Sequence, residues 1–188
     1  HNIIVLHDAA YSEFYFEGDR PLSFLSTPGA MEVGLEINSL SKSFSLAGTR
    51  IAYIAGNADM IAVLKQLKSN LDFGIFEAVQ TAAVTALDLA EDITASLRET
   101  FAARHRTLMN GLQAIGWDVA PSNGGMFVWA KYPQSFTSEE MAFHCIREVG
   151  VVTVPGTAFG TAGEGYLRLA LVQSEEKLNE AVARLKTI

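Results

Sequence analysis

Short apolar runs alternate with amphipathic stretches over the first ninety residues. Ile3-Ile4-Val5-Leu6 is continuous and rich in β-branched side chains, which predicts a strand buried on both faces. Residues 17–34 carry Gly, Pro, Asp and Ser and predict a loop with little regular structure. Leu35-Glu36-Ile37-Asn38-Ser39-Leu40 predicts a second strand that ends just before Lys42, and residues 50–56 predict a third, closed by Gly56. Asp59 is placed to cap a helix reaching Leu67. Residues 68–74 read as a loop and 75–88 as an Ala-rich helix.

From 91 to 115 the pattern is one long amphipathic helix stopped by Gly116. This helix opens the second of two expected parts, 1–90 and 91–188. Beyond it, residues 117–120, 125–131, 151–154 and 166–172 predict strands, and 138–149 predicts a helix. A last helix starts at the cap Ser174; Lys177 stands where a capping box would need an acid or Gln. Strands and helices alternating in the first part, with a small α+β unit after it, predict an α/β class.

Composition narrows the function classes. Of the 188 residues, 49% are hydrophobic, ample for a packed core, and the formal net charge of −7 disfavours nucleic acid as a partner. The one basic cluster, Arg104-His105-Arg106, falls in a helical pattern and reads as a solvated helix face. Cys145 is the only cysteine, so no intrachain disulfide can form, and a reducing, cytoplasmic setting suits it. No apolar run reaches the roughly 18 residues a membrane-spanning helix needs, so no membrane partner is expected. The chain opens without Met on strand-like residues and shows no signal-peptide pattern, as expected of a chain whose front portion is absent.

The candidate chemistry centres on Lys42, set among hydroxyls in Ser39-Leu40-Ser41-Lys42-Ser43, with Arg50 eight residues on. A lysine amine is a nucleophile only when deprotonated; the free group titrates near about 10.4, and burial or a nearby cation lowers that. Arg50 can make paired hydrogen bonds to a phosphate and Ser39 can donate another; a surface arginine and a turn serine are the plainer readings. Gly48, just before Thr49-Arg50, would allow a tight turn. Asp8 follows the first strand, where aspartates commonly turn the chain, and Tyr11 lies three residues later. Arg168, in Tyr166-Leu167-Arg168-Leu169, interrupts an apolar strand; a buried guanidinium needs a partner, which a substrate carboxylate would supply, unless it faces outward.

The glycine-rich stretch 156–165 has the wrong spacing for a dinucleotide fingerprint and precedes a strand. Gly124-Gly125-Met126-Phe127 suits either a strand-entry turn or close approach to substrate. His7, His105 and His144 lack metal-ligand spacing and read as structural, so no metal is expected.

In order and approximate spacing, Asp8/Tyr11, Ser39-Leu40-Ser41-Lys42, Gly48-Thr49-Arg50 and Tyr166-Leu167-Arg168 resemble the fold-type I, pyridoxal phosphate (PLP)-dependent class I/II aminotransferases. Residues 7–13, 68–76 and 163–166 look most like the bacterial LL-diaminopimelate aminotransferase group. The resemblance covers essentially the whole chain, as the family's C-terminal portion. It implies a partial large-domain sheet with helices plus a complete small α+β domain. It implies PLP bound by Asp8 (ring nitrogen), Tyr11 (phenolic oxygen), Ser39 and Arg50 (phosphate), and Lys42 (Schiff base and proton transfer), with Arg168 on the substrate carboxylate. It further implies an amino acid and a 2-oxo acid as substrates and a homodimer, with residues 70–76 near the partner's site. The family's ring-stacking aromatic, phosphate loop and ring-oxygen asparagine have no counterparts here, so the chain alone is expected to be inactive. A PLP-dependent carbon–sulfur lyase shares the ring chemistry. A non-catalytic, effector-binding domain of a transcription regulator shares the fold.

Overall fold

The computed structural model describes residues 1–188, and its internal contacts divide the chain into two units, His1–Arg98 and Glu99–Ile188.

The first unit is built on a three-stranded sheet in the order β1-β2-β3: β1 (Val5–Asp8) runs parallel to β2 (Gly34–Ser39), and β3 (Ala52–Gly56) runs antiparallel to β2. The predicted first strand therefore starts two residues late, and within these 188 residues it is not buried on both faces. Ile3, Ile4 and Leu6 are 65%, 66% and 61% exposed. β1 lies at a sheet edge, so it has a neighbour on one side only.

The connection to β2 is more ordered than expected, with a 3-10 turn at Phe24–Ser26 and a one-turn helix, α1 (Ala30–Val33). Buried Glu36 explains much of that order. Its carboxylate accepts hydrogen bonds from His7 Nδ1 (3.0 Å), Ser23 Oγ (2.8 Å), Phe24 N (2.8 Å) and Asn38 Nδ2 (3.0 Å). Burial alone would raise this carboxyl, but the hydrogen bonds outweigh it and hold the group down at about 2.

A single helical turn, α2 (Leu40–Ser43), follows β2 directly. It rests on a cluster of Leu40, Ile51, Ala83 and Ala86, packed by Phe44, Leu46, Ile75, Val79 and Ile93. Ala83 and Ala86 come from α4 (Glu77–Asp88), which the Ala-rich pattern located to within two residues. Between them runs α3 (Ala58–Leu71). Its cap is Asn57, whose side chain accepts from Met60 N at 3.0 Å, and not Asp59. It also continues four residues past Leu67, through residues expected to be a loop. Ser69 and Asn70 hydrogen-bond back to Gln66 O, and Lys68 pairs with Asp72 at 2.5 Å, so these polar side chains support the final turn.

The long helix α5 (Ala90–Ala114) carries the division between the units, at Arg98/Glu99. The second unit has a four-stranded antiparallel sheet, ordered β4-β5-β7-β6, from β4 (Asp118–Val119), β5 (Phe127–Lys131), β6 (Val154–Pro155) and β7 (Tyr166–Ala170). It also holds α6 (Ser138–Val149) and α7 (Glu175–Leu185). Strict alternation buries Leu167 and Leu169 of β7 with Val128 and Ala130 of β5, against a core that includes Leu108, Leu112, Met141, Cys145 and Leu185. Gly111 is small because α7 lies against it: a Cβ there would come within 2.8 Å of Val182.

Strand ends are shorter than expected. Residues 151–153 make no ladder; Gly150 turns left-handed after α6, and Val151 N is spent on Cys145 O. The basic cluster is not a solvated face. His105 is buried, and Arg104 donates to Leu171 O at 3.2 Å, leaving only Arg106 exposed. No helix is long and apolar enough to cross a membrane.

Candidate active site

Strand direction gathers the first-unit candidates. Because β1 and β2 are parallel, their carboxyl ends, Asp8 and Ser39, fall at the same end of the sheet. Antiparallel β3 begins there too: Ala52 pairs with Ser39, which brings Arg50 to that end, and Leu40 N bonds Ile51 O at 3.3 Å. Open α/β sheets bind ligands at this edge.

Each side chain is held by local geometry. Asp8 Oδ1 accepts from Ala10 N at 3.2 Å, the usual turn role, while Oδ2 takes no hydrogen bond. Ala9 N extends the ladder to Ile37 O at 2.8 Å, and the turn after it presents Tyr11, 44% exposed and tilted against Phe14. Ser39 Oγ accepts from Ser41 N at 3.2 Å and so caps α2; its hydroxyl proton remains free to be donated outward. Lys42, half-buried on that turn, makes no hydrogen bond or ion pair from Nζ.

Arg50 corrects one expectation. The tight turn is not made by Gly48 but by Arg50 itself, left-handed at φ 55°, ψ 44°, and by Ser45 at φ 54°. Non-glycine residues occupy this region at a cost of about 1 kcal/mol or more, and such outliers gather at functional sites. One N–H of the Arg50 guanidinium donates to Ala47 O at 2.9 Å; the other donors are unspent. The set fits PLP: an amine without a partner, a hydroxyl donor, a largely unengaged guanidinium and a carboxylate with one free oxygen, all at one sheet edge.

Arg168 belongs to the second unit. It is central in β7, half-buried, opposite Trp129 of β5 and Val154 of β6. It points to the face opposite the buried leucines and has no carboxylate partner. Aromatic rings surround it instead: its guanidinium carbon is 4.2 Å from the Phe127 centroid and 4.5 Å from that of Phe159. Trp129 meets Phe159 edge-on at 5.7 Å and stacks on Tyr166 at 5.6 Å.

The glycine-rich stretch preceding β7 is a packing device. A Cβ on Gly156 would lie 2.0 Å from Gly163 O, so the two backbones touch. Ser138, fully buried, ties the loop to α6 by donating to Gly163 O (3.2 Å) and accepting from Gly165 N (2.8 Å). Cys145 is no nucleophile candidate: burial pushes its thiol up to about 11.

Sequence reasoning did not single out Glu36, Trp129 or Phe159. An acid amid Leu35 and Ile37 was the available signal for the first. The aromatics could be found only once the pairing of β5 with β7 was known.

The chain matches the family of class I and II aminotransferases over residues 1–185. It is 43% identical over 189 residues to an LL-diaminopimelate aminotransferase of Oleidesulfovibrio alaskensis, covering 100% of this chain and 49% of that protein. It is 41% identical over 186 residues to an LL-diaminopimelate aminotransferase of Halothermothrix orenii, covering 99% and 48%. Its fold superimposes on substrate-bound BacF from Bacillus subtilis with a TM-score of 0.95 at 33% identity, covering 100% of this chain and 48% of that one. The chain thus spans about half the length of the relatives it matches. Class I and II aminotransferases use pyridoxal 5′-phosphate. With an α/β fold shared over the whole chain, and a lysine, aspartate and arginine gathered at one sheet edge, this chain belongs to the class I and II aminotransferase family.

Proposed function

We propose that the protein moves an amino group between an amino acid and a 2-oxo acid, with LL-diaminopimelate as the foremost donor and alanine and aspartate as others to test. The observation that carries this is the partnerless Lys42 amine on the same sheet edge as Asp8, Ser39 and Arg50. The names of its relatives support the donor.

Bound PLP supplies an electron sink at the substrate carbon and a carrier for the amino group. Asp8 would pair with its ring nitrogen and keep a proton there, Tyr11 would serve its ring oxygen, and Ser39 and Arg50 would hold its phosphate by charge-assisted hydrogen bonds. Lys42 carries the proton to and from the substrate Cα as base and then acid. Arg168 orients the substrate through its α-carboxylate. The protein works as a cytoplasmic homodimer with residues 70–76 near the partner's site; exposed Leu67, Leu71, Phe73 and Phe76 are apolar surface suited to burial against a second copy.

Because the chain spans about half its relatives' length, the 188 residues alone are expected to be inactive. Borohydride reduction after adding PLP, followed by peptide mass spectrometry, tests the assignment on both this chain and the full-length protein. Label concentrated on Lys42 in the full-length protein supports it; label spread over surface lysines there refutes it. Product analysis separates the chemistries: a new amino acid means transamination, and pyruvate with ammonia means a lyase.

A further inference from the structure

Arg168 is the one predicted site cation surrounded by aromatic rings, and those rings do what an acidic partner could not. A half-buried guanidinium ordinarily needs a carboxylate, but a carboxylate from the protein would occupy the very N–H groups a substrate must use. Phe127 and Phe159 lie 4.2 and 4.5 Å from its central carbon, accept no strong hydrogen bond, and leave those donors unspent. They also displace water and limit the rotamers of a flexible side chain before any ligand arrives, the costs that binding otherwise carries.

The bracket is itself rigidly mounted. Phe127 is the diagonal neighbour of Arg168, since Phe127 pairs with Ala170 and Trp129 with Arg168. Phe159 ends the 3-10 turn Gly156–Phe159, locked by the Gly156–Gly163 contact and by Ser138. Trp129, edge-on to Phe159 and stacked on Tyr166, supports it from the sheet.

We propose that Phe127 and Phe159 are positioning residues that preset the Arg168 guanidinium for a carboxylate. This rests on the carboxylate-binding role given to Arg168 above. Neither ring is asked to touch the reacting atoms.

The test uses the full-length protein and calorimetric titration with succinate, a carboxylate with no amino group to react. F127L should weaken succinate about 10-fold and F159L, whose ring is half-exposed, about 3- to 5-fold, while F127Y and F159Y stay within about 2-fold of wild type. In steady state the leucine variants should raise KM for the amino donor by a similar factor, with kcat nearly unchanged. Phe159 is 53% exposed, so F159L removes little core, and circular dichroism of each variant checks folding. Unchanged succinate affinity in folded F127L and F159L, with binding lost in R168A, overturns the bracket and leaves the Arg168 role standing. Succinate binding that survives in R168A overturns the Arg168 role itself.

Discussion

His7 Nδ1 lies 3.0 Å from Glu36 Oε2, directly across the parallel pair β1–β2. The same carboxylate holds the loop at Ser23 and Phe24 and the side chain of Asn38, so one buried acid ties the strand that ends in Asp8 to the strand that ends in Ser39. Its folded-state pKa of about 2 lies below the roughly 4.3 of a free glutamate. Its contribution is therefore fully present above about pH 4.3 and is lost as pH falls through 2, amounting to at most about 3 kcal/mol. Urea unfolding of the chain from pH 7 to pH 2.5 should show a declining midpoint below pH 4.5. E36L, which also strands four donors, should remove about 2–4 kcal/mol already at pH 7.

Ser39 and Arg50 have separable effects. R50A removes the groups assigned to the phosphate and one exposed hydrogen bond to Ala47 O, so PLP affinity in the full-length protein should fall about 10- to 100-fold with the apo-protein melting temperature lowered only slightly. S39A removes a phosphate donor and the cap of α2, so it should lower both PLP affinity and apo stability, the latter by about 1 kcal/mol. A melting temperature for apo S39A equal to that of wild type would remove Ser39 from the cap role.

Lys42 has no protein partner, so K42A should leave folding intact. In the full-length protein, amino transfer should fall about 10²- to 10⁴-fold or more, and the borohydride-trapped adduct should vanish. A residual adduct of wild-type yield elsewhere would point to a different lysine.

Gly156 tolerates no side chain: a Cβ would meet Gly163 O at 2.0 Å and Tyr166 O at 2.8 Å, all backbone. G156A should destabilise the second unit by about 3 kcal/mol or more, beyond ordinary overpacking, because backbone must move. G160A, at a position with open space but φ 117°, should cost less, about 1–2 kcal/mol. Chemical denaturation of both variants checks the order.

Helix α6 begins with a capping box: Thr137 Oγ1 accepts from Glu140 N at 3.3 Å, and Glu140 Oε2 accepts from Thr137 N at 2.9 Å. T137A should cost about 0.5–2 kcal/mol, measurable by thermal melting.

The sequence by itself determined the elements whose cause is local. Helices α4, α5, α6 and α7 follow from apolar periodicity and end residues, and strands β2, β5 and β7 from alternation, because both patterns are written within a few neighbouring side chains. Asp8, Tyr11, Ser39, Lys42, Arg50 and Arg168 could be nominated as candidates for the same reason: their residue types and spacing lie along the chain. Where local signals competed, the reading erred. Asn57 and Asp59 are both good caps, and the choice fell to Asn57, whose backbone N also bonds Gly34 O. Tertiary structure alone decided the rest. It set the parallel register that brings Asp8 to the end of the sheet where Ser39 stands, and the left-handed turn at Arg50. It also decided the four-donor hold on Glu36 and the aromatic company of Arg168. Each joins residues far apart in the chain, and strand pairing and burial, not periodicity, determine which remote groups become neighbours.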